Sequence, residues 1–77
     1  MRYTWFTKSF IEKFTMTELQ AIWNAASTNE VVCRFIMMGL AANEIESDDA
    51  DLEGAMDYFV SLGILTQARR DEILNTY

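Results

Sequence analysis

The chain has 77 residues, with 6 Lys and Arg against 12 Asp and Glu for a formal net charge of −6, no His, no Pro and one Cys. Without His, the commonest general base and the commonest neutral metal ligand are missing. One Cys excludes an internal disulfide and a thiolate zinc cluster, and the negative charge makes nucleic acid and anionic membranes poor default partners.

A hydrophobic content of 51% is too high for a disordered chain. The length fits one helical domain over residues 1–77. A core of that size supplies only roughly 3–5 kcal/mol, so a partner chain, another copy or a different protein, is expected to add stability. The start has no apolar run of signal-peptide length. The longest apolar stretch, Val31 to Ala42, is too short to span a bilayer and is broken by Arg34. A cytoplasmic protein without a membrane association is expected, in a reducing compartment where a lone thiol is harmless.

The periodicity is helical nearly throughout, and alternating strand patterns are absent. A first helix is predicted over Thr4 to Phe14, with Phe6, Phe10, Ile11 and Phe14 as an aromatic stripe. Thr15 and Glu18 have capping-box spacing, and Phe14 and Leu19 the spacing of a hydrophobic staple, so a second helix starts there. Its apolar face is Leu19, Ile22, Trp23 and Ala26, and Trp23 is expected in the core. Ser27 and Glu30 repeat the capping-box spacing and predict the start of a third helix, about 28–42. Eleven of the twelve residues from Val31 to Ala42 are apolar or Gly. A helix apolar all round must be buried all round, which predicts that the third helix is central.

Residues 43–49 read as a polar loop, with Ser47 or Asp48 as the cap of a fourth helix. Leu52, Ala55, Met56, Phe59 and Val60 then share one face, and Asp49, Glu53 and Asp57 another. Gly63 is placed for a left-handed stop in which Ile64 meets Phe59. Thr66 caps a fifth helix through Leu74 with Ile73 and Leu74 turned inward. The expected fold is all-α: a compact bundle of four to five short helices around the third.

Seven of the twelve acids, Glu44, Glu46, Asp48, Asp49, Asp51, Glu53 and Asp57, fall in fourteen residues that contain no base. Such a block repels itself and invites a basic partner surface. Asp49, Asp51, Glu53 and Gly54 match the first half of an EF-hand loop, but Val60 stands where the bidentate Glu is required. The hairpin from Asp48 to Leu74 has the outline of a helix-turn-helix. Its acids lie where phosphates would approach, so direct nucleic-acid binding is disfavoured. Spaced carboxylates can also imitate phosphates toward a basic groove, although −6 is modest for a whole-surface mimic. Cys33 has no histidine to serve as its base and reads as a packing residue. Pairs such as Asp48/Asp51 and Asp49/Glu53 show no pocket around them for acid–base work.

No catalytic, cofactor-binding or metal-ligating residue is assigned, and no enzyme is expected. The expected function is protein–protein interaction, as an inhibitor or modulator of a larger host protein or defence complex. Length, acidity and missing catalytic groups have the general look of small phage- and plasmid-encoded proteins of that kind. The expected contact residues are Glu46, Asp48, Asp49, Asp51, Glu53 and Asp57 toward a basic surface, with Tyr3 and Trp5 as aromatic anchors. The alternative is a homodimer or larger homo-oligomer of structural or regulatory role, DNA-associated through the C-terminal hairpin.

Overall fold

The computed structural model describes residues 3–76. Its elements in chain order are β1 (Thr4–Phe6), α1 (Thr7–Ile11), α2 (Met16–Ala26), α3 (Glu30–Ala41), β2 (Glu44–Glu46), α4 (Ala50–Ser61) and α5 (Gln67–Leu74). Five helices are therefore joined by a two-stranded sheet, and the bundle is mostly helical rather than all-α.

The strands correct the expected first helix and the expected polar loop. Tyr3 to Phe6 is a run of aromatic and β-branched residues, the composition that suits a pleated surface. It pairs antiparallel with β2 in the register Thr4–Glu46, Trp5–Ile45 and Phe6–Glu44. A ribbon this short is marginal alone. Here the Tyr3 N–H donates to Ser47 Oγ at 2.7 Å and the Ser47 N–H donates to the Tyr3 carbonyl at 2.8 Å. Ser47 is thereby buried as a clamp on the ribbon, and the cap of α4 passes to Asp49. Strand alternation turns Trp5 inward and leaves Phe6 outside, 70% exposed. The helical stripe survives only as Phe10 and Phe14, packed edge to face at 5.5 Å.

Trp5 is a core residue. Its ring stacks on Tyr3 at 6.0 Å and meets Phe10 at 5.3 Å. Lys13 Nζ lies 4.9 Å from its ring centroid, and its indole N–H donates to the Thr76 carbonyl at 3.2 Å. Because Lys13 Nζ also donates to Thr76 Oγ1, at 3.0 Å, both ends of the described chain are pinned around one indole.

Three of the expected helix-end signals hold. Glu18 N–H donates to Thr15 Oγ1 at 3.1 Å and Thr15 N–H donates to Glu18 Oε1 at 2.8 Å, a complete capping box. α4 ends as expected: Gly63 has φ +78°, its N–H donates to the Val60 carbonyl and that of Ile64 to the Phe59 carbonyl, both at 3.0 Å. That is the bond pair of a Schellman stop. Thr66 Oγ1 accepts from the Arg69 N–H at 3.1 Å, capping α5.

The third helix is not central. Its start moves to Asn29, whose Oδ1 accepts from the N–H groups of Val31 and Val32 at 3.0 and 3.3 Å. Asn29 Nδ2 donates to Tyr58 Oη at 2.9 Å, a bond to α4 that Ser27 does not make. Ser27 closes α2 instead, its hydroxyl donating to the Asn24 carbonyl at 2.7 Å. In α3 only Val32 is fully covered, while Val31, Met37, Met38 and Leu40 are exposed. The core is built mainly on α4 and α5: Met56, Phe59, Ile73 and Leu74 are buried with Leu65, Trp5, Phe10, Ile22 and Val32.

Candidate protein-interaction surface

Among the described residues, the side chains converge on a groove of about 680 Å³. Phe10, Ile22, Met56 and Phe59 form its buried floor. Phe35, Ile36 and Leu40 of α3 line it on one flank, and Ile45 of β2 and Leu52 of α4 also border it. Its rim carries Met16, Trp23 and Leu40, which are 80%, 69% and 61% exposed. No ionisable side chain lines it, and its polar side-chain groups are those of Thr7, Thr17, Gln20 and Asn24 and the indole N–H of Trp23. Its volume falls in the range of ligand pockets, about 300–1,000 Å³. An apolar cleft without titratable groups can hold an apolar segment.

The groove follows from how the helices are held. The Thr15–Glu18 box sets the start of α2, and Asn29 ties the start of α3 to Tyr58 of α4. Phe35 meets Tyr58 edge to face at 6.1 Å. Beyond that contact Ile36 still packs against the core, whereas Met37, Met38 and Leu40 are exposed, and a Cβ placed on Gly39 would find no atom within 4 Å. Trp23 is thus a rim residue and not the core residue its spacing predicts. The sequence signal that could have found the groove was the apolar circumference of α3, read as burial when it marks an uncovered face.

The structure places the acids in unequal roles. Asp49 is the N-cap of α4, its Oδ1 accepting from Asp51 N–H at 2.8 Å and Leu52 N–H at 3.4 Å. Asp57 lies 2.9 Å from Arg70 Nε, an ion pair without hydrogen-bond alignment. Arg70 also meets Asp71 at 3.0 Å. Glu46 is half-buried in β2 opposite Thr4. Glu44, Asp48, Asp51 and Glu53 are exposed and make no ion pair among the described residues. Asp49 through Glu53 form a cap and a helical turn, not a calcium loop. Among the described residues no three acids or Cys come together as metal ligands.

Of the two expected aromatic anchors, Trp5 is removed from the surface by its burial and Tyr3 is half-buried against it. Cys33 is half-buried on α3. No helix of the described residues is long and apolar enough to cross a membrane.

A second polar centre holds the fold beside the groove. Arg69 Nε and Nη2 donate to Glu18 at 2.7 and 3.1 Å, and Nη2 donates to the Lys13 carbonyl at 2.7 Å. Arg69 also pairs with Glu72. The Arg69 hydrogen bond, aided by the Thr15 N–H and opposed by burial, holds the Glu18 carboxyl below its ordinary pKa. Burial and the nearby Arg69 charge push the Lys13 ammonium down, with Glu72 pulling the other way. This centre links α5, α2 and the turn before it.

Comparison with protein-family models, curated proteins and solved structures returned no match.

Proposed function

We propose that this protein is a non-enzymatic interaction module that inhibits or modulates a larger protein assembly by receiving an apolar segment of it in the groove. The observation that carries this reading is the groove of about 680 Å³ with Met16, Trp23 and Leu40 exposed on its rim. Large apolar side chains gathered at one cleft are the mark of a binding surface, whereas scattered ones are ordinary. Magnitudes decide which surface dominates. Fully covering a Leu or Met side chain gains about 1.5–3 kcal/mol, while an exposed ion pair gains only about 0–1 kcal/mol. The groove therefore carries affinity, and the exposed acids Asp48, Asp51 and Glu53 act on encounter with a basic partner surface. The half-buried lone thiol and the absence of disulfides suit a cytoplasmic setting.

The test is a quantitative affinity capture from cells of the source organism with three baits. These are the unaltered protein, a Trp23→Gln/Leu40→Gln variant, and an Asp48→Asn/Asp51→Asn/Glu53→Gln variant, each shown to be folded by circular dichroism. A partner held by the groove is lost with the first variant and recovered at reduced rate with the second. Equal capture by all three baits would remove the groove from the function.

A further inference from the structure

The occupant of the groove is itself legible from charge, given that the groove is the binding site. Leu52, which lines it, lies between the exposed acids Asp51 and Glu53 on the first turn of α4, and Asp48 precedes that turn. One side of an otherwise uncharged cleft thus belongs to a segment of net charge −7 over residues 44–57. We propose that the groove receives an amphipathic helix of a partner protein whose apolar stripe fills the cleft and whose flanking residues are Lys or Arg.

Three observations select this occupant. A second copy would bring a net charge of −6 toward the same acids. Three of its cations are already engaged, because Lys13 is bonded to Thr76, Arg69 to Glu18 and Arg70 lies against Asp57 and Asp71. An acyl lipid would find no cation in the groove lining for its anionic head, and acids beside it. An extended peptide would need a sheet edge to pair with, and the strands here are three residues each. A helix needs no such pairing. It presents apolar side chains at i, i+3, i+4 and i+7 to a groove, and its diameter of about 10 Å suits packing onto other helices.

The test uses three synthetic amphipathic peptides of about 14 residues, roughly four turns. All share one Leu stripe and carry Lys, Gln or Glu on the polar face. Binding is read by calorimetry for every variant and, where Trp23 is present, also by the change in tryptophan fluorescence. The Lys peptide is expected to bind about tenfold tighter than the Gln peptide at low salt, and the Glu peptide weakest. The gap should close in about 1 M salt, where the screening length falls to about 3 Å. It should also close in the Asp48→Asn/Asp51→Asn/Glu53→Gln variant, which spares the Asp49 cap and the Asp57 ion pair. Trp23→Gln/Leu40→Gln should weaken all three peptides alike. Equal affinity of the three peptides overturns the basic-helix assignment while leaving the groove as an apolar receptor. Tighter binding of oleate than of any peptide overturns it in favour of a lipid. A dimer in sedimentation that the Trp23→Gln/Leu40→Gln change dissociates overturns it in favour of a second copy. Failure of every peptide, with cellular capture still dependent on Trp23 and Leu40, overturns the helix and spares the function.

Discussion

Arg69 and Glu18 should be the strongest polar coupling in the domain, and a double-mutant cycle measures it. The Arg69 side chain is 25% exposed and that of Glu18 15%, so water screens the pair only partly. Two of their hydrogen bonds lie at 2.7 and 3.1 Å, and a third from Arg69 reaches the Lys13 carbonyl at 2.7 Å. Hydrogen bonds to charged groups contribute about 1.5–3 kcal/mol, and removing one partner strands the other. Arg69→Met should therefore cost about 2–3 kcal/mol. That is a large share of the roughly 3–5 kcal/mol a core of this size provides. Each kcal/mol lowers Tm by roughly 4–8 °C in a domain this small. Glu18→Gln keeps an acceptor for the Thr15 N–H and so removes the charge without removing the cap. The cycle of wild type, Arg69→Met, Glu18→Gln and the double variant, each unfolded in urea, should give a coupling of about 1–2 kcal/mol at neutral pH. The sign of its pH dependence is fixed. Glu18 titrates below its ordinary value in the folded state, chiefly through the Arg69 hydrogen bond. Its stabilisation is therefore fully present above the unfolded pKa of about 4.3 and is lost as pH falls through the lower folded value. A coupling of only a few tenths of a kcal/mol, or one unchanged on acidification, would refute the assignment of this centre as the α2–α5 lock.

The remaining predictions separate buried from uncovered positions. Val32→Asp puts a charge at a site with 0% exposure and should unfold the domain, whereas Met37→Gln, at 66% exposure, should shift stability by no more than about 0.5 kcal/mol; equal losses in thermal melts would restore α3 to the centre. Gly39→Ala and Gly54→Ala place a methyl where no atom lies within 4 Å and should each stabilise by about 0.5–1 kcal/mol through helix propensity. Gly63→Ala, at φ +78°, should destabilise by roughly 1–2 kcal/mol, and urea midpoints order the three. In acrylamide quenching, the fluorescence left in Trp23→Phe should come from the shielded Trp5, 5% exposed, and that left in Trp5→Phe from the accessible Trp23, 69% exposed; the reverse order would invert the groove assignment.

The sequence alone determined what is decided within a few residues. Thr15 with Glu18, Gly63 with Ile64, and Thr66 each satisfy backbone groups at a helix end three to five residues away, so their geometry needs no other part of the chain. The inward face of α4, with Ala55, Met56 and Phe59 buried, was legible for the same reason: a period of 3.6 is a local property. The acidic segment was visible as composition, but not the assignment of Asp49 to a cap, Asp57 to an ion pair and Glu46 to a half-buried strand position. The ion pair depends on Arg70 arriving from α5. Tertiary structure decided the rest. Thr4–Phe6 is a strand because Glu44–Glu46, some forty residues on, supplies its hydrogen bonds and Ser47 clamps it. Asn29 displaced Ser27 as a cap because its amide also reaches Tyr58. Trp5 and Trp23 exchanged their expected places, and one face of α3 was left uncovered. Hydrophobicity specifies that a side chain gains by leaving water, but only the arrangement of the other elements determines whether this chain itself supplies the cover.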